Sequence, residues 1–293
     1  MERARQSKLQ KSCCTVGKFE AFHRGHRFLI EKAKEICSSV KVISIRKKGE
    51  RLFSDKERAI IAESLGVNLI PVNFDSIKEL SPQEFFVLLK RLGCKVLIVG
   101  KDWRFGRERS GDVELAKELG KIYGIEVLAL DTVKEEGKKV STSRIISLLK
   151  KGQIEEANKL LGFPYFTVGK VERGRRIGRK IGYPTVNVSP EKELPLPNGV
   201  YAVNLIIDGE RLFGIANYGV RPTFGGVSKT LEVFIPDREL PPLYGKEVTV
   251  EFLSFLRPEK HFPSVEELKN QIKLDLEKLK TLGGKDFGGA ETL

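Results

Sequence analysis

The sequence has few cysteines, and none lies at a metal-binding or disulfide-framework spacing. The four are Cys13, Cys14, Cys37 and Cys94. The absence of a C-x-x-C motif argues against a zinc site and against a small disulfide-bonded scaffold. Cys13 and Cys14 are adjacent, which is a poor geometry for a bridge between them. We therefore expect four reduced thiols that pack as small hydrophobic groups.

Long hydrophobic runs are also missing. The longest apolar stretches, such as residues 96–99 and 205–207, are far shorter than the roughly 20 residues of a membrane-spanning helix. The first residues are basic but contain no apolar segment of signal-peptide length. These absences predict a cytoplasmic protein without a membrane partner. A chain of 293 residues is long enough to bury a core in one large domain or two ordinary ones.

Acidic residues are fewer than basic ones: 39 Asp and Glu stand against 52 Lys and Arg, a net charge of +13. This excess predicts anionic partners, which include nucleic acid, acidic membranes and phosphorylated small molecules. It is pronounced between Lys170 and Lys180, where six basic residues and one acidic residue occur. A basic tract on a helix would favour nucleic acid, whereas a basic, glycine-containing turn between strands favours phosphate.

Up to about Gly162, strand-like and helix-like segments alternate. Short apolar runs predict strands at residues 13–16, 40–45, 67–72, 96–99 and 125–130. Amphipathic stretches predict helices at residues 27–36, 55–65, 82–92 and 112–123. Capping boxes at Ser54 and Ser81 support two of these helices. Alternation at these lengths is typical of a parallel α/β sheet, whose ligands bind at strand-to-helix turns.

After Gly162 the pattern changes, because Pro164 ends the helical periodicity and short strand-like segments follow. They lie at residues 166–171, 185–188, 200–207, 212–216, 231–235 and 248–255. Gly- and Pro-rich turns between them predict a small antiparallel barrel or sandwich. A closing helix is predicted from Ser264 to about Lys280, and residues 282–293 are expected to be disordered.

Two of the three histidines lie together as His23-Arg24-Gly25-His26, directly after the first predicted strand and before the first long helix. A helix N-terminus at this place presents free N–H groups to an anion. Gly25 allows the backbone to approach a phosphate closely, and two imidazoles can donate hydrogen bonds to charge that develops on it. The alternative is a pair of ordinary loop histidines, but the position favours a phosphate site.

The segment GKFEAFHRGH, residues 17–26, resembles the H-x-G-H signature of nucleotidyltransferases, in the form found in bacterial FMN adenylyltransferases. Residues 98–112 and 140–146 resemble two further segments of that family. The resemblance implies a Rossmann-like parallel-sheet domain in which His23 and His26 are catalytic. It also implies ATP-binding roles for Gly17, Phe19, Gly25, Ser141, Thr142, Ser143 and Arg144, and flavin-binding roles for Asp102, Trp103 and Phe105.

The second half resembles the riboflavin kinase module of bifunctional bacterial FAD synthetases. The similarity lies in GRRIGRKIGYPTVNV, residues 174–188, followed in order by LPNGVYAV, ANYGVRPTFGG and FLRPEKHF. The resemblance implies that Glu232 is a catalytic base, although an isolated Glu in a strand usually just faces solvent. It implies ATP-binding roles for Gly174, Gly178, Arg179, Gly182, Pro184, Thr185 and Asn187. It also implies Mg²⁺ binding by Thr185 and Asn187, and ligand contacts near the flavin by Asn217 and Arg257.

Departures from the family pattern fall mainly in the first half. Glu20 and Ala21 replace the Asp-Gly of an F-D-G segment, and no F-D-x-H-P block follows the second strand. Ile146 replaces the arginine that ends the third segment, while Arg144 lies two residues earlier. Loss of a phosphate-binding arginine would weaken transition-state stabilisation. A weak or altered adenylyltransferase is therefore one alternative.

The sequence thus predicts an FMN adenylyltransferase at residues 12–162 and a riboflavin kinase at residues 163–281. Riboflavin would be converted to FMN and then to FAD, with ATP as co-substrate of both steps and Mg²⁺ as cofactor. One alternative is a riboflavin kinase with an impaired first domain. A remote alternative, motivated by the net charge, is an RNA-binding protein on a nucleotidyltransferase scaffold. Otherwise we expect no nucleic-acid partner, and a monomer or weak homo-oligomer.

Overall fold

The computed structural model describes residues 11–282 except residues 48, 50, 175, 176, 224 and 225. The chain divides into two compact units, with the division between Thr142 and Ser143. The predicted tail, residues 282–293, lies outside the described residues apart from Leu282, which ends the last helix.

The first unit contains a five-stranded parallel sheet in the order β3-β2-β1-β4-β5, which confirms the predicted parallel α/β class. Its strands are β1 Ser12–Gly17, β2 Ser39–Arg46, β3 Asn68–Asn73, β4 Val96–Gly100 and β5 Glu126–Leu130. Its helices are α1 Arg24–Ile36, α2 Asp55–Ser64, α3 Pro82–Arg91 and α4 Val113–Tyr123, and a hairpin of β6 Lys134–Glu135 and β7 Lys138–Lys139 follows β5.

The order of the strands reverses at β1, which lies between β2 and β4. In an open parallel sheet this switch point leaves a crevice beyond the carboxyl end of the strand, where ligands bind. The sequence places the two histidines at this crevice. Both predicted capping boxes are formed: Ser54 and Ser81 each exchange hydrogen bonds with the glutamate three residues later, so α2 and α3 begin where predicted.

The expectation of four reduced cysteines is wrong for two of them, because Cys13 and Cys37 form a disulfide. Cys13 lies on β1 and packs with Ala33 of α1, and Cys37 directly follows that helix. Residues 24 positions apart are thereby brought to a Cα separation of 5.7 Å. Cys14 belongs to a different hydrophobic cluster, and Cys14 and Cys94 are free and buried. The pairing depends on helix packing, which cysteine spacing does not reveal.

The second unit is a closed barrel of six antiparallel strands in the order β10-β11-β12-β9-β8-β13. This confirms the barrel among the two predicted β architectures. Its strands are β8 Tyr165–Glu172, β9 Val186–Pro190, β10 Gly199–Ile207, β11 Glu210–Thr223, β12 Gly226–Phe234 and β13 Glu247–Pro258. Its helices are α5 Thr142–Lys150, α6 Ile154–Leu161, α7 Ile177–Lys180 and α8 Val265–Leu282.

Helix α6 is attached to the barrel by a buried asparagine. The side chain of Asn158 donates to the Phe252 carbonyl at 2.9 Å and accepts from the Tyr165 N–H at 2.7 Å. Helix α6 therefore belongs to the same compact unit as the barrel, which begins at Ser143. The predicted boundary between the two functional domains, after residue 162, stays a prediction.

Helix α8 covers one outer face of the barrel. Its Leu279 packs with Val200, Ile215 and Leu253 from three strands. The predicted start is confirmed, because the Ser264 hydroxyl accepts from the Glu267 N–H at 3.2 Å. No helix in the described part of the chain has both the length and the apolar character to span a bilayer.

Candidate active sites

The two histidines of the first unit lie face to face at the N-terminus of α1. Their ring centroids are 3.8 Å apart with an interplanar angle of 11°. His23 caps the helix, since its Nδ1 accepts from the His26 N–H at 3.4 Å. The buried ring of Phe19 stacks on His26 at 4.4 Å. The structure thus brings the predicted residues His23, His26 and Phe19 together beyond the end of β1.

Both imidazoles are neutral at physiological pH. The pKa of His23 is lowered to about 4, chiefly by burial; a backbone hydrogen bond partly opposes this shift, and the positive charge of Lys139 adds to it. Burial also lowers the pKa of His26 well below its usual value, with smaller contributions from His23 and from the positive charges of Lys139 and Arg58. Because His23 Nδ1 is an acceptor, its proton is on Nε2, which is left as a donor.

Lys139 is a charged residue near the histidine pair that the sequence interpretation did not single out. It lies at the end of β7 and forms an ion pair with the predicted flavin-site residue Asp102. That contact lowers the pKa of the Asp102 carboxyl, and the Thr132 hydroxyl lies 3.4 Å from the same group. Its only signal in the sequence is a basic residue two positions before Ser141.

Trp103 and Phe105 form a stacked pair, with centroids 4.5 Å apart and an interplanar angle of 11°. Phe105 is buried against Phe85 and Phe86, while Trp103 is half-buried at the edge of the same cluster. Packing within this aromatic cluster is therefore enough to explain why residue 105 is a phenylalanine. A flavin contact by either ring stays a prediction.

The remaining predicted residues of this site lie at the ends of elements. Gly17 ends β1, and Gly25 lies in the first turn of α1. Ser141 directly precedes α5, and Thr142, Ser143 and Arg144 form its first turn. Their ATP contacts stay predictions.

The segment after β2, where the F-D-x-H-P block is missing, carries a cluster of arginines. Arg46, Arg51 and Arg58 surround the Asp55 carboxylate with N–O distances of 3.1, 3.3 and 3.7 Å. Arg58 is buried and also donates to the Ser44 hydroxyl, which itself donates to the Lys18 carbonyl. This network places a buried cation near His26.

In the second unit, strand register assembles residues that are far apart in sequence into one row. Asn187 lies opposite Glu232, Glu232 opposite Asn217, Asn217 opposite Val200, and Val200 opposite Arg257. Side chains of directly opposed residues point to the same face of a sheet, with Cβ atoms about 5 Å apart. We call these five residues the cross-strand row. Four of them were predicted for the site from the resemblance.

Two cavities meet beside this row. The row cavity has a volume of about 380 Å³ and is lined by Glu232, Asn217 and Arg257. Pockets that bind small molecules have volumes of about 300–1,000 Å³, so this cavity is large enough for such a ligand. The loop cavity is lined by the predicted residues Gly174, Arg179 and Pro184. Thr185 and Asn187 line both cavities. The Thr185 hydroxyl lies 3.5 Å from the Glu232 carboxylate. A residue shared by both cavities is therefore next to the carboxylate of the row cavity.

The basic glycine-containing segment is partly helical, because α7 lies within it. A Cβ on Gly174 would lie 2.3 Å from Asn187 Nδ2, and one on Gly178 would lie 2.2 Å from the Tyr183 carbonyl oxygen. These glycines are therefore required by close packing around Asn187 and the loop. Gly182 lies just after α7, and its ATP contact, like those of Gly174 and Gly178, stays a prediction.

Arg257 is held in place by a residue that sequence reasoning missed. Its Nε and Nη2 donate to the buried carboxylate of Asp275 on α8, at 2.9 and 2.8 Å. Its guanidinium lies 5.7 Å from the centroid of the Phe262 ring. The only sequence signal for Asp275 was an acidic residue in an amphipathic helix, which is usually solvent-exposed.

Comparison with known proteins decides the family. A family model described as riboflavin kinase matches residues 161–282, and one described as FAD synthetase matches residues 5–144. The bifunctional riboflavin kinase/FMN adenylyltransferase of Escherichia coli K12 is 34% identical over 286 residues, which cover 91% of each chain. The chain belongs to this bifunctional family.

A second curated relative carries the same description, and a solved structure with a different description shares the fold over nearly the whole chain. The protein of the same description from Buchnera aphidicola of Schizaphis graminum is 32% identical over 291 residues, covering 92% of this chain and 93% of the relative. A crystal structure described as a macrolide-efflux protein from Streptococcus pneumoniae has a TM-score of 0.82 and 28% identity, covering 94% of this chain and 96% of that one. The resemblance inferred from the sequence is thus confirmed over both halves.

Proteins usually bind Mg²⁺ together with substrate phosphates, and two residues at the junction of the two cavities are suited to hold it. Thr185 and Asn187 offer a hydroxyl and an amide oxygen, which are hard oxygen ligands of the kind that Mg²⁺ prefers. No group of three or more His, Cys, Asp or Glu side chains in the described ranges could hold a metal ion. The donor set therefore fits an ion that takes its other ligands from phosphates and water.

Proposed function

We propose that this protein phosphorylates riboflavin to FMN in its second unit and adenylylates FMN to FAD in its first unit, with one ATP consumed in each step. The observation that supports the kinase step best is the cross-strand row, which places Glu232 in one cavity and Asn187, two residues after Thr185, at the junction with the other. Both reactions are assigned to the cytoplasm, where ATP is available.

In the kinase step, riboflavin occupies the row cavity with its 5′-hydroxyl beside Glu232. The carboxylate accepts the hydroxyl proton as the oxygen attacks the γ-phosphorus of ATP, and ADP leaves. Thr185 and Asn187 would hold Mg²⁺, which would neutralise part of the phosphate charge. Arg257 keeps a fixed position in the cavity, because Asp275 holds its guanidinium.

In the adenylylation step, a phosphate oxygen of FMN attacks the α-phosphorus of ATP and pyrophosphate leaves. The free Nε2–H of His23 donates to a phosphate oxygen, with neutral His26 beside it. Cationic stabilisation comes from Lys139 and Arg58, whose charges act on the histidine pair. Positioning and preorganised hydrogen bonds supply most of the rate in such transfers. We assign Ser141, Thr142 and Ser143 to the ATP phosphates.

Two observations favour an active adenylyltransferase over the kinase-only alternative. Ala21 is fully buried, so its extra methyl group packs inside the protein. Glu20, which replaces the family's Asp, accepts the Leu52 N–H at 3.0 Å and so has a structural partner. Arg144 in the first turn of α5 is assigned the role of the arginine that Ile146 replaces.

The test is chromatography of products after incubation of the protein with riboflavin, excess ATP and Mg²⁺. FMN followed by FAD is expected. FMN alone would contradict the adenylylation step. In the same assay, Glu232→Gln should slow FMN formation from riboflavin by about 10²–10⁴-fold, because general-base catalysis is lost. That variant should still convert added FMN to FAD, which shows that the first unit is intact, and an unchanged urea denaturation curve would show that the second unit is folded.

A further inference from the structure

Glu172 extends the cross-strand row on its other side. It is the last residue of β8 and lies directly opposite Asn187 in the β8–β9 ladder. Asn187 is thus flanked by two carboxylates, Glu172 on one neighbouring strand and Glu232 on the other. Directly opposed Cβ atoms are about 5 Å apart. Both carboxylates are therefore within reach of a ligand that Asn187 binds.

The two carboxylates belong to different cavities. Glu232 lines the row cavity only, and Glu172 lines the loop cavity only. The loop cavity also contains Arg179 and the junction residues Thr185 and Asn187, for which the family resemblance implies ATP binding, and we have assigned Mg²⁺ to the last two. Glu172 therefore lies on the nucleotide side of the site, away from the base.

The Glu172 carboxylate has no partner within the described part of the chain. Its side chain is exposed, and it forms no hydrogen bond or ion pair with another described residue. A free carboxylate in a cavity that accepts polyphosphate would repel the ligand by like charge. The repulsion becomes attraction when a divalent cation lies between carboxylate and phosphate. The arrangement is thus unfavourable for bare ATP and favourable for the metal complex.

We infer that Glu172 is a further ligand, directly or through one water, of the Mg²⁺ that accompanies ATP in the kinase site. This inference rests on the proposed kinase function. The cation would be held by Glu172, Asn187 and Thr185, whose oxygens suit Mg²⁺. Glu232 is then free to act as base on the flavin side, because a separate carboxylate serves the metal.

The experiment compares the full chain with Glu172→Gln and measures metal binding directly. Mn²⁺ is titrated into protein saturated with ADP, and free Mn²⁺ is followed by electron paramagnetic resonance. Loss of one carboxylate should raise the Mn²⁺ dissociation constant of the kinase site by about tenfold. Without metal, in EDTA, the substitution should have the opposite effect on nucleotide binding. ADP alone should bind Glu172→Gln more tightly than the unmodified chain, because a repelling negative charge has been removed. Glu172→Asp, which keeps a carboxylate, should restore most of the metal affinity.

Glu191→Gln is the matched control, because it removes the same charge from an exposed position just beyond β9 that lines neither cavity. It should change neither measurement. Unchanged Mn²⁺ affinity in Glu172→Gln, or equal changes in both variants, would overturn the inference. Failure of the proposed function would give a different result: the unmodified chain would form no FMN from riboflavin, whatever its affinity for Mn²⁺.

Discussion

At the scale of single residues, the histidine pair supplies hydrogen-bond donors without charge. Stacked imidazoles 3.8 Å apart would repel each other if both were protonated, and burial already disfavours the charged form. In the proposed adenylylation step, the cations that stabilise the transition state would therefore come from other groups, such as Lys139 and Arg58. In the proposed reaction, the buried histidines would thus donate hydrogen bonds to phosphate while other groups carry the positive charge.

The lowered histidine pKa values predict how stability depends on pH. The unfolded chain binds a proton at His23 near pH 6.5, but the folded chain does so only near pH 4. The contribution to folding is therefore complete above pH 6.5 and is lost as the pH falls towards 4. For His23 it is on the order of 3 kcal/mol. Urea denaturation at pH 7.0 and 4.5 should show this loss.

His23→Asn is the control for this prediction, because Asn keeps a helix-capping acceptor but does not titrate. Its stability should fall less than that of the unmodified chain between the two pH values. Equal losses would show that His23 is not the titrating group.

At the scale of elements, the ion pair between Arg257 and Asp275 joins β13 to α8. Replacing Asp275 with Ala would leave a mostly buried guanidinium without its counter-ion, which costs about 3–5 kcal/mol. Urea denaturation should report this decrease in the free energy of unfolding. Glu277→Ala, an exposed position on the same helix, should change it by less than about 0.5 kcal/mol. Similar effects of the two variants would contradict a structural role for the pair.

The disulfide joins β1 to the end of α1, the helix that begins at the histidine pair. A thiol reagent added to unfolded, unreduced protein should detect two thiols, Cys14 and Cys94, and four after reduction. Reduction should destabilise the first unit by about 3 kcal/mol, as expected for the loop that this bridge closes. Four thiols without reduction would show that the bridge is absent.

At the scale of the whole molecule, the histidine pair lies in one compact unit and the cross-strand row in the other. Defects in the two sites should therefore be independent. We expect His23→Asn to convert riboflavin to FMN normally and to form FAD from FMN about 10²–10³-fold more slowly, because a preorganised donor is lost. Glu232→Gln should show the opposite pattern.

An equal mixture of these two variants should convert riboflavin to FAD, since FMN released by one is substrate for the other. Chromatography of products over time gives the readout. Absence of FAD from the mixture, when each variant keeps its own remaining activity, would contradict release of FMN between the sites.

The elements of both units could be predicted from the sequence because their signals are local. Apolar runs and capping residues such as Ser54 and Ser81 determine where strands and helices form, since each signal acts within a few positions of the chain. The histidine pair could also be found, because a strand-to-helix turn puts neighbouring residues at a ligand site without help from distant segments.

Only the tertiary structure decided which distant residues meet. Barrel register aligns Glu172, Asn187 and Glu232, and a strand glutamate that looks solvent-facing becomes part of a site. The Cys13–Cys37 bridge and the Arg257–Asp275 pair likewise join separate elements. Such contacts depend on strand order and helix packing. Those are determined by burial summed over the whole core, which no single segment encodes.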